Sequence, residues 1–175
     1  LSLGMICAED ELGLGTSHEG IMVLDPAVSP GSSAADYFKV ETDQVFEIGL
    51  TPNRIDGASH LGVARDLAAY LKQSESIDIS KPSLEEFKTD NKELTIPIEI
   101  EEKAGCKRYS GLTLKGVTVK ASPDWLQNRL RSIGLTPINN VVDITNFVLQ
   151  ETGQPLHAFD AAEIFGNKVI VKTMP

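Results

Sequence analysis

Apolar and polar positions change rhythm along the chain. The residues Leu61, Ala64, Leu67, Ala68 and Leu71 recur at helical spacing, with Asp56 or Ser59 placed to cap the start. Upstream, Asp43 to Leu50 alternates imperfectly and meets Thr51-Pro52-Asn53, the mark of an extended segment stopped by a turn. A short helical turn is expected over Ala8 to Leu12, ending near Gly13. Later in the chain, Leu94 to Ile100 and Tyr109 to Val119 carry the alternation and β-branched content of strands, and Pro97 puts the first at a sheet edge. A helix should follow, capped by Ser122, with Pro123 in its first turn and Leu126, Leu130 and Ile133 as its buried stripe. Gly134 stops it, and Arg129 and Arg131 sit near its negative end. Another begins at Asn139 or Asn140, turns Val141, Ile144, Val148 and Leu149 inward, and ends at Gly153 and Pro155. Lys168 to Lys172 reads as a last short strand.

Between the two patterns, residues 72–91 are rich in Ser, Lys, Glu and Asp, as a solvated connection should be. This divides the chain into a small helical segment over 1–75, a linker over 76–91 and an α+β layered fold over 92–175. At 175 residues there is enough chain for one ordinary core or two small ones. The hydrophobic share of 41% and mean hydropathy of -0.08 lie outside the compositions that stay disordered. No apolar run approaches the roughly 20 residues that span a bilayer, and no basic segment precedes an apolar one at the N-terminus, so a cytoplasmic location and no membrane partner are expected. Cys7 and Cys106 lie far apart, with neither a CxxC nor a His-rich pattern, so no disulfide framework and no metal site are indicated.

The charge changes this picture locally. The whole chain carries -9, which argues against a nucleic-acid binder that relies on its overall field. Yet Lys103, Lys107, Arg108, Lys115, Lys120, Arg129 and Arg131 face only Asp124 between Lys103 and Ser132. Such a stretch is either the solvated edge of a domain or a phosphate-facing surface within an acidic protein.

No GxSxG, Walker loop, HExxH or strand-borne GxGxxG is present. His18 and His60 have no partner close in sequence and read as surface or capping residues. His157 differs, because Thr145 to His157 places hydroxyl and amide groups on a helix that turns back at Gly153 and brings Gln154 and His157 near its body. Neutral groups of this kind can bind a ribose or orient a water without a strong base. The plainer reading has Thr145 bonding a backbone carbonyl and His157 capping a helix end.

Several stretches together resemble the β subunit of bacterial phenylalanyl-tRNA synthetases. They are Gly4 to Leu14, Val45 to Arg54, Gly62 to Ala68, Cys106 to Gly111 and, most distinctively, Pro137 to Asn146 continuing into Gln154 to Asp160. The resemblance implies a fragment: the second segment of the family's N-terminal helical domain, then the first part of a sandwich-like B3/B4 editing domain, truncated here. It implies an α2β2 enzyme that charges tRNA(Phe) with phenylalanine using ATP and Mg²⁺, neither bound by this fragment, and that hydrolyses mischarged Tyr-tRNA(Phe). Thr145, Asn146 and His157 match the family's editing-pocket positions, with Gln154 a neighbouring substrate-binding candidate. Lys107, Arg108, Arg129 and Arg131 are then candidates to face tRNA. The glutamate that reads the tyrosine hydroxyl is expected beyond Pro175, and the exposed sheet edge of a truncated fold would let the fragment dimerise non-physiologically. In the competing reading, the fragment is a scaffold for subunit and domain contacts that binds nothing small.

Overall fold

The computed structural model describes residues 3–174. It divides into two units at Thr42/Asp43. In the first, a 3-10 turn at Asp10–Leu12 ends on Gly13, whose φ of 66° is left-handed and suits glycine. A four-residue helix, α1 (Ala34–Tyr37), follows, its first turn closed by Asp36 N–H donating to the Ser33 hydroxyl.

The second unit holds α2 (His60–Leu71), β1 (Ile98–Ile100), α3 (Asp124–Ser132), α4 (Asn140–Thr152) and β2 (Val169–Val171), with 3-10 turns at Ile55–Gly57, Ala161–Glu163 and Phe165–Asn167. The α+β class read from the sequence is the class observed. β1 and β2 pair in parallel, with Ile98 opposite Val169 and Ile100 opposite Val171. Parallel strands need a long crossover, and here it contains α3 and α4.

Ser59 caps α2, its hydroxyl accepting from Gly62 N–H at 3.0 Å. Gly62 lets the helix lie against the preceding 3-10 turn at Ile55–Gly57, where a Cβ would stand 2.4 Å from the Asp56 carbonyl oxygen. Ala68 is buried as the spacing anticipates, but Leu67 is 54% exposed. In α3, Leu126 and Leu130 are the best-buried apolar side chains, whereas Ile133, past the last turn, stays exposed. Trp125 of α3 meets Phe147 of α4 edge to face, centroids 5.6 Å apart.

Other local expectations are corrected as well: the strand expected over Leu94 to Ile100 is only Ile98–Ile100, and Ile144 of α4 is exposed. Ser122 does not cap α3. Pro123 takes that position without a side-chain bond, and the Ser122 hydroxyl donates instead to Asp143 Oδ2 at 2.5 Å. Tyr109 to Val119 forms no strand among the described residues: Gly116 turns left-handed at φ 73°, and Leu112, Leu114, Val117 and Val119 remain exposed. Its alternation is genuine, but a strand is defined by a ladder partner, and none lies beside it here.

Candidate functional site

Helix α4 organises the region that the sequence singled out. The Asn139 side-chain oxygen accepts from Val141 and Val142 N–H, both at 3.0 Å, which satisfies two donors that an uncapped helix would leave open. Asn140 reaches outward: its Oδ1 accepts from Lys120 N–H and its Nδ2 donates to the Thr118 carbonyl. Asp143, 1% exposed, accepts from Ser122 and from Ile138 N–H at 2.8 Å. Asn139 thus caps α4 from within, while Asn140 and Asp143 hold its start to residues 118–122 and 138.

The other end is equally fixed. Gly153, at φ 78°, closes α4 with its N–H on the Leu149 carbonyl. His60 Nδ1 donates to the Gln150 carbonyl at 3.1 Å, satisfying one of the last-turn acceptors from α2. His60 is a capping residue, as its sequence context suggested.

Between these anchors, Thr145 and Asn146 are half-buried. Thr145 Oγ1 donates to the Val142 carbonyl at 2.7 Å, leaving its lone pairs free to accept. The Asn146 amide makes no hydrogen bond among the described residues. Beyond the helix, Gln154 is exposed and its Nε2 donates to the Pro155 carbonyl at 3.3 Å. His157 is exposed, with its ring 6.5 Å from that of Phe159 and no hydrogen-bond partner among the described residues. No hydrogen bond or ring contact joins any two of Thr145, Asn146, Gln154 and His157.

The basic positions are dispersed in their engagements. Arg129 donates to Asp43, and this bond, helped by Gln44 N–H, holds the Asp43 carboxyl below its ordinary range. Arg131 is tied back to Gln127 and Asn128 on its own helix, Arg108 bonds the Ser110 hydroxyl, and Lys107 is exposed with no partner among the described residues. Among the described residues no three His, Cys, Asp or Glu side chains gather to hold a metal ion, so these residues do not fit a Mg²⁺ site. No helix is long and apolar enough to cross a membrane among the described residues.

The sequence did not single out Asn140, Asp143 or Ser122 for what they do. An aspartate two residues before a threonine reads as an ordinary helix-surface charge, and only its burial shows otherwise.

Comparison with known proteins places this arrangement. Residues 105–174, which contain α3, α4 and β2, match the family model described as the B3/4 domain. Over almost its whole length, the chain matches a fragment of the phenylalanine–tRNA ligase β subunit. It is 57% identical over 175 residues to the subunit so named from Bacteroides fragilis, covering 99% of this chain and 21% of that protein. The Porphyromonas gingivalis subunit is 49% identical over 174 residues, with 99% and 21% covered. For that of Chlorobaculum tepidum the values are 46% over 172 residues, 98% and 20%. The chain thus spans about a fifth of the length of the curated relatives it matches.

Proposed function

We propose that this chain contributes to hydrolytic editing in a phenylalanine–tRNA ligase, with α4 and the loop after Gly153 facing the 3′ end of a mischarged tRNA(Phe). The observation that carries the reading is the pair of polar groups without hydrogen-bond partners among the described residues, the Asn146 amide and the His157 imidazole, within a segment that matches the B3/4 domain. Thr145 adds an acceptor on the same helix.

These groups suit the chemistry. An aminoacyl ester is already activated, so the protein must position it rather than attack it. A water held by His157 adds to the ester carbonyl, the bond to the ribose oxygen breaks, and that oxygen takes the proton the water loses. Asn146 and Thr145 are suited to ribose hydroxyls, and Gln154 to the edge of the bound end. Rejection of phenylalanine follows if a polar group outside this chain reads the tyrosine hydroxyl and stays unsatisfied without it.

The remaining assignments follow from this reading. Charging with ATP and Mg²⁺ belongs to the whole α2β2 enzyme, whose partners would be the α subunit and tRNA(Phe), in the cytoplasm. Residues 1–75 would form the helical segment, 76–91 the linker and 92–175 the first part of the editing domain. Lys107 is the best-suited phosphate contact, being exposed with no partner among the described residues; Arg129 would have to leave Asp43 to serve. A scaffold role is favoured by a separate observation: Asn139, Asn140 and Asp143 are all consumed by bonds within the chain.

The test is deacylation of Tyr-tRNA(Phe) by the full ligase carrying His157→Ala, with phenylalanine charging as control. The editing reading expects a loss of about 10-fold or more with charging intact. Unchanged deacylation would leave the scaffold reading.

A further inference from the structure

Among the described residues, Asp143 is the one buried charged side chain. Its carboxylate is held by a hydroxyl and a backbone N–H, from Ser122 and Ile138, and no Lys, Arg or His bonds it. Burying a carboxylate is costly, and a well-packed apolar residue would close the same space more cheaply. What an apolar residue cannot do is fix direction. Together with the Asn140 bonds to residues 118 and 120, the bonds from Ser122 and Ile138 to Asp143 restrict the rotation of α4 about its axis.

That setting matters because Thr145 and Asn146 follow at two and three residues on a rigid helix, turned from Asp143 by about 200° and 300°. At the helix surface, about 5–6 Å from the axis, a rotation of about 10° moves a side-chain atom by about 1 Å. A misplacement of that size is enough to cost about 100-fold in a positioned reaction.

We propose that Asp143 is a positioning residue for the hydrolytic site: held by Ser122 and Ile138, it sets the rotation of α4 and so the direction in which Thr145 and Asn146 are presented. This rests on the editing reading above. Asp143 touches no substrate; it acts through the two residues that follow it.

The experiment uses the full ligase with Asp143→Asn, Ser122→Ala and, as a separate arm, His157→Ala. In Asp143→Asn the side-chain oxygen still accepts from Ile138 N–H, and the short hydroxyl-to-carboxylate bond becomes a longer, weaker one in which the amide donates to the Ser122 hydroxyl oxygen. In Ser122→Ala one of the two bonds is lost with the smallest change of volume, and unchanged phenylalanine charging shows that the variant is folded. Both variants are expected to lower kcat for Tyr-tRNA(Phe) deacylation by about 10-fold or more, with KM within about twofold and phenylalanine charging unchanged. Should Asp143→Asn fail to fold, Ser122→Ala carries the result. Normal deacylation in the folded variants, or a rise in KM alone, overturns the proposal; if His157→Ala still impairs clearing, the editing reading survives that failure. If all three variants deacylate normally, both fall.

Discussion

Asp43, Asp56 and Glu99 are three carboxylates held below their ordinary values chiefly by one hydrogen-bonded cation each: Arg129, Arg54 and Lys168 respectively. A carboxyl depressed in the folded state adds stability that is fully present above its unfolded value and is lost as pH falls through the folded one. For Asp43 the ordinary value is 3.8, so its contribution is complete above that range and disappears on the acid side. Urea midpoints followed from about pH 6 down to pH 2 should therefore fall less steeply in Asp43→Asn than in the native chain. The pairs are exposed, so the effect at neutral pH should be small and salt-sensitive. The Asp43–Arg129 pairing was not legible beforehand, because the two residues lie 86 positions apart. The polar cluster at Thr145 to His157 was legible by composition, yet which of its groups are free was not. That depends on hydrogen bonds, such as the one that occupies the Thr145 hydroxyl, which only the folded chain reveals.

Among the elements, helix ends were the clearest signals, since capping chemistry is local. Asn139 and Gly153 frame α4 as their residue types imply. Asn139→Ala should cost about 1 kcal/mol, read as a lower urea midpoint with an unchanged slope. Gly153→Ala should cost about as much or more. Its φ of 78° disfavours a Cβ, and the new methyl would press on Ser59 Cβ at 3.4 Å, disturbing the meeting of α2 and α4. Strands were harder to read. Leu94 to Ile100 shrinks to Ile98–Ile100, and Tyr109 to Val119 pairs with nothing among the described residues, because pairing is a long-range property that alternation only permits. The interior of α4 misled in a different way: Ile144 on its apolar stripe is 51% exposed, while Asp143 beside it is buried.

At the scale of the molecule, many apolar side chains of the second unit are open to solvent. Leu112, Leu114, Val117, Val119, Phe159 and Phe165 are among the apolar side chains left open. The isolated chain should accordingly bind a hydrophobic dye and self-associate as its concentration rises in sedimentation. The complete β subunit should show less dye binding per residue. Motif order along the chain carried the family resemblance, whereas these exposed apolar side chains did not show in a composition that is ordinary for a globular protein. The central claim is that α4 and the loop after Gly153 face the end of a charged tRNA. Its most direct test is photo-crosslinking of tRNA(Phe) bearing an azido-adenosine at its 3′ terminus to the full ligase, with the modified peptide mapped by mass spectrometry. Crosslinks are expected within residues 145–157; a terminal adenosine that marks the β subunit only outside that stretch would contradict the account.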